Sequence, residues 1–462
     1  MLDTLPAHVF REYDIRGLAD SEITPAFAQM LARAYTRLLP ESSSSPVIVA
    51  RDARLSGKAL QQAVIQALLQ AGVDVLDMGM VPTPMAYYAV HEKEAAGCIM
   101  VTASHNPAAY NGFKMMVGKG SFHGQDIQRL KALMQRENCQ ASAPEYGQYQ
   151  SLDMMKAYQT FVCQDCALQR PLQVVIDAGN GPTGIVAAPL YRALGCEVIE
   201  LYCEPDGRFP NHHPDPTVED NLKDLSHKVK ETHADLGIAF DGDGDRIGVV
   251  NEKGEVIWGD MLLLLLSRQL LKAHPGATII SEVKSSQALY DDITAHGGKA
   301  VMWRTGHSPM KAKMQATGAL LAGEMSGHFF FADRYFGFDD AVYAGARLMQ
   351  LLAEQEKPLS SLLNDVPAWV STPEIRVYCP DTLKFRLVEQ AKAYFADEGC
   401  DMIDIDGMRL VLTDGWALLR ASNTQPALVM RFEARSQKSL RRIQQQVQGW
   451  LSSHLTTEVC QS

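Results

Sequence analysis

The sequence predicts a mixed α/β chain of four segments. Three are built from alternating strands and helices, and the last is a smaller α+β unit. Two observations carry this expectation. Short Val- and Ile-rich runs alternate with stretches of helical spacing as far as residue 353, the pattern of layered α/β units. Beyond that point three strand-like runs follow one another with no helix between them, as in an antiparallel meander. Polar stretches with prolines or glycines at 137–147 and 357–367 mark boundaries. The segments are taken as 1–149, 150–254, 255–367 and 368–462.

In the first segment, Val47-Ile48-Val49-Ala50 reads as a strand. Leu60, Val64, Leu68 and Leu69 give 56–71 helical spacing. Strands follow at 73–76 and 97–101. The second segment repeats the rhythm, with strands at 174–176, 198–199, 236–240 and 247–250 and helices at 183–194 and 218–231. The third has helices at 261–271, 286–295 and 338–353, and strands at 277–280, 300–303 and 320–322. Three successive segments of the same βα grammar point to internal duplication. In the tail, helices at 381–395 and 436–451 flank strands at 408–412, 416–420 and 428–434.

Of the 462 residues, 46% are hydrophobic and 21% charged, with a formal net charge of −11. That balance excludes a generally basic surface that coats nucleic acid, but leaves room for a local basic pocket. Asp3, Arg11, Glu12 and Asp14 leave no apolar signal-peptide core near the start. The leucine run at 261–266 is too short to cross a bilayer. Nine scattered cysteines read as reduced thiols, and Cys163-x-x-Cys166 lacks the second pair a zinc site needs. The expectation is a cytoplasmic protein.

Five stretches carry chemistry. Thr102-Ala103-Ser104-His105-Asn106-Pro107 follows a buried strand, so a hydroxyl and an imidazole sit where a rigid strand gives way to a loop. Asn106-Pro107 and Asn111-Gly112 are turn signals, with Lys114 just beyond. Asp241-Gly242-Asp243-Gly244-Asp245-Arg246 places carboxylates at every second position, with glycines that let the backbone curl around one hard cation. A calcium loop ending at Glu252 is disfavoured, because Arg246 stands where that loop needs glycine. Gly323-Glu324-Met325-Ser326-Gly327-His328 offers donors and acceptors suited to sugar hydroxyls. Arg420-Ala421-Ser422-Asn423-Thr424 has the fork and small donors of a phosphate clamp. Gly179-Asn180-Gly181-Pro182-Thr183-Gly184, with Glu200 about twenty residues on, matches a dinucleotide fingerprint. A structural glycine turn is the simpler account, since Asp177 crowds it with negative charge.

Together with Tyr13-Asp14-Ile15-Arg16-Gly17 and Arg420 to Thr424, the motifs at 102–107, 241–246 and 323–328, in this order, resemble the α-D-phosphohexomutase superfamily, in particular its bacterial phosphomannomutase/phosphoglucomutase branch. Met325 stands where the related phosphoglucosamine mutases typically carry Gln. The resemblance spans the chain and implies four domains around one central cleft. It implies that Ser104 carries the phosphoryl group and that Asp241, Asp243 and Asp245 bind Mg²⁺ with it. Arg246 orders that site, and Lys114, His105 and His328 are its proton-transfer candidates. Glu324 and Ser326 hold sugar hydroxyls. Arg420, Ser422, Asn423 and Thr424 grip the distal phosphate, and Tyr13, Arg16, Lys284 and His307 complete the cleft. The implied activity interconverts hexose 1- and 6-phosphates of mannose and glucose, with a hexose 1,6-bisphosphate as intermediate and activator. The implied partners are small phosphohexoses, with neither nucleic acid nor membrane, and the implied state is a monomer. The alternatives are a phosphoglucosamine mutase, an NAD-dependent oxidoreductase built on 179–184, and a calcium- or sugar-binding module built on 241–252.

Overall fold

The strands Val47–Arg51 and Gly97–Val101 lie in the middle of the first sheet and are buried on both faces. That is why they read as unbroken apolar runs rather than alternating ones. The computed structural model describes residues 5–40, 45–136, 145–423 and 425–459, with side chains to residue 455. Across the first sheet run Ile15–Leu18, Tyr110–Val117, Gly97–Val101, Val47–Arg51, Val75–Met80 and Tyr149–Ser151. The second sheet holds Val256–Ile257, Ile247–Asn251, Leu236–Phe240, Gln173–Asp177 and Glu197–Leu201 in that order. The third holds Lys299–Trp303, Thr278–Glu282, Leu321–Gly323 and Phe329–Phe331. The fourth is antiparallel and is built on the meander Met408–Leu412, Gly415–Ala421 and Ala427–Ala434.

The first three sheets contain the same unit. A first strand lies between two parallel neighbours, the second and third in chain order, and a fourth strand folds back antiparallel on the third. The duplication expected from the sequence rhythm is therefore a repeat of topology. In each unit the loop between third and fourth strands carries one of the singled-out motifs: 102–109, 241–246 and 324–328. The loop at 422–426 joins two meander strands of the fourth sheet in the same manner. Chemistry thus collects beyond the carboxyl ends of sheet strands, where open α/β sheets bind ligands.

One continuous apolar cluster runs through the first three domains. It includes Ile48, Met100, Ile176, Ile238, Leu263, Leu321 and the helix Ala341–Ala353. The fourth domain has a core of its own around Leu387, Phe395, Leu419, Phe432 and Ile443.

Several elements depart from the sequence expectation. Asn111-Gly112 is not a turn but part of the strand Tyr110–Val117. Gly112 is glycine because a Cβ there would lie 2.0 Å from the Ile15 carbonyl of the neighbouring strand. The reversal occurs earlier, through the Asn106 N–H to Ala103 O and Tyr110 N–H to Pro107 O bonds. The strand expected at 73–76 begins at Val75, because Gly72, at φ +79°, is still leaving the preceding helix. The stretch 218–231 begins as a 3₁₀ turn, Glu219–Leu222, before the α-helix Lys223–Thr232. The helix expected from 338 starts at Ala341, capped by Asp340, whose carboxylate accepts the Tyr343 N–H. The helix Thr83–Lys93 went unread because Thr83 to Val90 are all buried, so no polar face gives it a visible period. Most of the polar stretch 137–147 lies outside the described residues, and the first sheet reaches Ser151.

Candidate active site

Ser104 has a φ of +49°, the left-handed region that a non-glycine residue enters at a cost of about 1 kcal/mol. Its N–H donates to Thr102 Oγ1 (2.9 Å), and the Thr102 hydroxyl donates to Asp52 (2.7 Å). So held, Ser104 Oγ donates to Asp241 Oδ2 at 2.6 Å and lies 3.2 Å from His105 Nδ1. Gly242 explains why the second loop fits against the first: a Cβ there would lie 2.3 Å from Ser104 O.

Asp241, Asp243 and Asp245 are each at most 1% exposed. Asp241 Oδ1 accepts the N–H groups of Gly244 (3.0 Å), Asp245 (3.1 Å) and Arg246 (3.1 Å). Asp243 Oδ2 accepts from Lys114 Nζ (2.7 Å) and Thr83 Oγ1 (2.5 Å), and Lys114 also donates to Asp245 Oδ2. Asp243 Oδ1 is buried with no hydrogen-bond partner, and Asp245 Oδ1 meets only His328 Nε2, at 3.4 Å. One oxygen from each carboxylate lies within 4.8 Å of the others. Burial, then Asp245 and Asp243, pushes the Asp241 carboxyl well above its usual range. Burial disfavours the charged Lys114, but the carboxylates outweigh it and hold the ammonium above its ordinary pKa. Three converging carboxylates with buried oxygens left over are a fitting donor set for a hard divalent cation.

The third loop closes onto this cluster. Glu324 accepts the Gly306 N–H at 2.5 Å and pairs with His328 Nδ1 at 2.7 Å. Arg246 Nε lies 3.3 Å from His328 Nε2, and Ser326 Oγ lies 3.4 Å from His328 Nδ1. Burial lowers the His328 pKa, but Asp245 and Glu324 outweigh it and raise it to about 9. His307 stacks edge-on with Tyr13 and lies 5.6 Å from His328 between ring centroids. Burial, then Lys311, pushes the His307 imidazole well below its usual range.

The fourth loop reaches the same place through Asp406, which accepts from Arg420 Nε (3.0 Å) and from the Thr305 N–H (2.9 Å). Asn423 Nδ2 donates to the Tyr13 hydroxyl (3.2 Å), which donates to Thr305 O (2.9 Å). Ser422 Oγ accepts the Gln425 N–H (3.1 Å), and Lys384 ties the loop through Ser422 O and Gln425 O. Lys284 lies between Glu374 (3.1 Å) and Glu282 (3.5 Å). Arg16 pairs with Asp14 and donates to Asn106 Oδ1 (2.6 Å). Thr424 lies outside the described residues. Among the other expected site residues, these bonds join Ser104, His105, Lys114, Arg246, Glu324, Ser326 and His328 around the carboxylate cluster, and join Tyr13, Lys284, Arg420 and Asn423, directly or through one neighbour, at Thr305.

Sequence reasoning passed over Asp52, Arg54, Thr83, Glu282 and Asp406. Asp52 and Glu282 stand where buried strands end, the same signal that singled out Asp241. The glycines at 179–184 have a packing role: Gly179 sits against Pro214, and a Cβ at Gly181 would lie 3.0 Å from Gly242 O. Glu200 pairs with Arg192, and Asp177 with His212. Glu252 accepts the Ser360 N–H at 3.1 Å and so does not join the carboxylate cluster. Cys163 and Cys166 are free thiols.

Four segments of the chain match family descriptions. These are phosphoglucomutase/phosphomannomutase α/β/α domain I at 7–140, domain II at 152–254, domain III at 258–369 and the C-terminal domain at 374–449. The chain is 45% identical to a Pseudomonas aeruginosa phosphomannomutase/phosphoglucomutase, over 95% of this chain and 94% of that one. It is 43% identical to a Neisseria gonorrhoeae phosphoglucomutase, covering 96% and 97% of the two chains. A crystal structure of a phosphoglucomutase/phosphomannomutase family protein from Burkholderia thailandensis superposes with a TM-score of 0.91 at 43% identity, covering 97% and 98%. Among the described residues no helix is long and apolar enough to cross a membrane.

Proposed function

The chain belongs to the phosphoglucomutase/phosphomannomutase family, and on that premise we propose that it interconverts hexose 1-phosphates and hexose 6-phosphates of mannose and glucose through a phosphorylated Ser104. The observation that carries this reading is the Ser104 hydroxyl, 2.6 Å from Asp241 in a nest of buried carboxylates with oxygens left over.

In the forward direction O6 of a hexose 1-phosphate attacks the phosphorus on Ser104. The O6–P bond forms, the Ser104 Oγ–P bond breaks, and the O6 proton leaves to a base. The resulting hexose 1,6-bisphosphate turns end for end. Ser104 Oγ then attacks the phosphorus at C1, the C1 oxygen takes a proton, and the hexose 6-phosphate leaves. Asp241, Asp243, Asp245 and the phosphoserine would hold Mg²⁺, which supplies charge neutralisation at the transferring oxygens. Arg246 and Lys114 add positive charge from the protein, and Lys114, His105 and His328 are the candidates for proton transfer.

Glu324 and Ser326 hold two sugar hydroxyls, while Arg420, Ser422, Asn423 and Thr424 hold the phosphate that is not reacting. Tyr13, Arg16, Lys284 and His307 fill in between them. Because the bisphosphate reverses, the clamp must take a phosphate on either carbon, which a fork of N–H donors can do. The same reading has the protein act on free phosphosugars as a cytoplasmic monomer, with hexose 1,6-bisphosphate as its activator.

The test is turnover with Mg²⁺ and a trace of glucose 1,6-bisphosphate on mannose 1-phosphate, glucose 1-phosphate and glucosamine 1-phosphate in parallel. Comparable rates on the first two with little on the third support the proposal. Preference for glucosamine 1-phosphate would keep Ser104 but replace the substrate, and no turnover on any of them would overturn the reading.

A further inference from the structure

We propose that Arg54 is a positioning residue for the transfer step, holding Ser104 in its left-handed backbone conformation against the carboxylate loop. The inference rests on Ser104 as the phosphoryl carrier. The Arg54 side chain is fully buried, a placement that is costly unless every donor is matched. Here every donor is matched. Nε donates to Asp52 (3.2 Å), Nη1 to Pro107 O (2.7 Å) and Tyr110 O (2.8 Å), and Nη2 to Ser104 O (2.7 Å) and Asn106 O. Those are the five N–H groups of a guanidinium. Four of their acceptors are carbonyls of the stretch 104–110, the loop and the first residue of the strand it enters, one of them the carbonyl of Ser104 itself.

The other side of Ser104 is fixed by the same group of residues. Asp52, the carboxylate partner of Arg54, accepts the Thr102 hydroxyl, and Thr102 accepts the Ser104 N–H. Arg54 and the Asp52–Thr102 relay therefore clamp Ser104 by its carbonyl and its N–H together. A left-handed residue persists only where its surroundings over-determine it, and these contacts supply that. The clamp also sets the gap to the second domain. Ser104 O lies between Arg54 Nη2 and the Cβ-free face of Gly242. The second domain packs on the turn carrying Arg54, with the Phe209 ring 5.2 Å from the guanidinium and Gly207 against Ala53 O. Arg54 donates its hydrogen bonds to these carbonyls and Asp52, so its effect on the transfer step passes through the position of Ser104 Oγ relative to Asp241.

The experiment compares wild type with Arg54→Lys, Arg54→Ala and Thr102→Val. For each, kcat and KM for glucose 1-phosphate are measured, along with the rate at which glucose 1,6-bisphosphate phosphorylates Ser104, followed by intact mass. Lysine cannot span the loop with its point charge. Arg54→Lys should therefore lose about 100-fold in kcat and in the phosphorylation rate, with KM within about threefold of wild type. In Arg54→Ala, added guanidinium chloride at millimolar concentration should restore activity at least about tenfold, while leaving wild type unchanged. Thr102→Val conserves shape and keeps the proposal testable should the Arg54 variants not fold; its kcat should fall about tenfold.

Folded Arg54→Lys with near-normal kcat, or a folded Thr102→Val with unaltered kcat, would overturn the proposal. So would Arg54→Ala that loses activity only in proportion to its unfolded fraction and gains nothing from guanidinium. Failure of wild type to take up a phosphoryl group on Ser104 would instead overturn the parent reading, which separates the two.

Discussion

Beside the polar contacts of the site, the first three domains share one continuous apolar core, which passes from Ile48 through Ile238 to Leu352. Between the third and fourth domains the contacts are mainly polar. Arg409 donates to Val283 O and Ser285 O, Gln287 N–H to Glu433, Lys284 pairs with Glu374, and Thr305 N–H donates to Asp406. The apolar contact there is a small cluster around Val283, Trp416 and Leu418. An interface of matched polar groups opens at lower cost than a shared core. The difference assigns two mechanical characters to one site. Ser104 and the carboxylates are fixed in the common core, whereas Arg420, Ser422 and Asn423 ride on a separately cored domain. On the proposed mechanism, a substrate that reverses while bound would be served by that division, with one place to react and a separately cored grip.

The largest expected effect tests the rigid half. Ser104→Ala should lose at least about 10⁴-fold in turnover with an unchanged unfolding midpoint; near-normal turnover would remove Ser104 as the carrier. Next, Asp243→Asn should lower kcat about 10²-fold and raise the Mg²⁺ concentration needed for half activity. An unaltered magnesium titration would take Asp243 out of the metal site.

The movable half should respond in another parameter. Asn423→Ala removes the hydrogen bond to Tyr13 and should raise KM for glucose 1-phosphate about three- to tenfold, with kcat nearly kept. If kcat instead fell as far as in Asp243→Asn, the two halves would not be separable.

The smallest effect concerns pH. Lys284, then Arg376, outweighs burial and holds the Glu374 carboxyl down at about 2. A carboxyl with a lowered folded-state pKa stabilises above its unfolded value of 4.5 and loses that contribution as pH falls toward about 2. Glu374→Gln should therefore cost about 1–2 kcal/mol at neutral pH, with the difference from wild type shrinking steadily below pH 4.5. Denaturant melts at several pH values read this directly. A gap that stays constant down to low pH would show that the pair contributes nothing through ionisation.

How much of this was legible in the sequence depended on the kind of signal. Asp241 was legible because a carboxylate directly after Leu236–Phe240, a wholly buried strand, demands a partner. Asp52 and Glu282 carried the same signal after Val47–Arg51 and at the end of Thr278–Glu282, and were not weighed. Arg54 offered no such signal, because four of its acceptors are main-chain carbonyls that loop folding alone brings together. Asn111-Gly112 misled because glycine serves close strand approach as well as turns. Asp406, in an ordinary Asp-Gly turn, acquires its place only when the fourth domain meets Thr305.

The thrice-used hairpin of the α/β sheets has a further consequence. The same corner of the same unit carries the Ser104 hydroxyl at 102–109, three buried carboxylates at 241–246 and the paired Glu324 and His328 at 324–328. Labour is divided among copies of one part, so each copy can be retuned while the others keep working. Exchanging Met325 and Ser326 alone, with Glu324 and His328 kept, should then redirect the enzyme toward another sugar while the transfer step stays intact, much as one bit is changed on a three-headed tool.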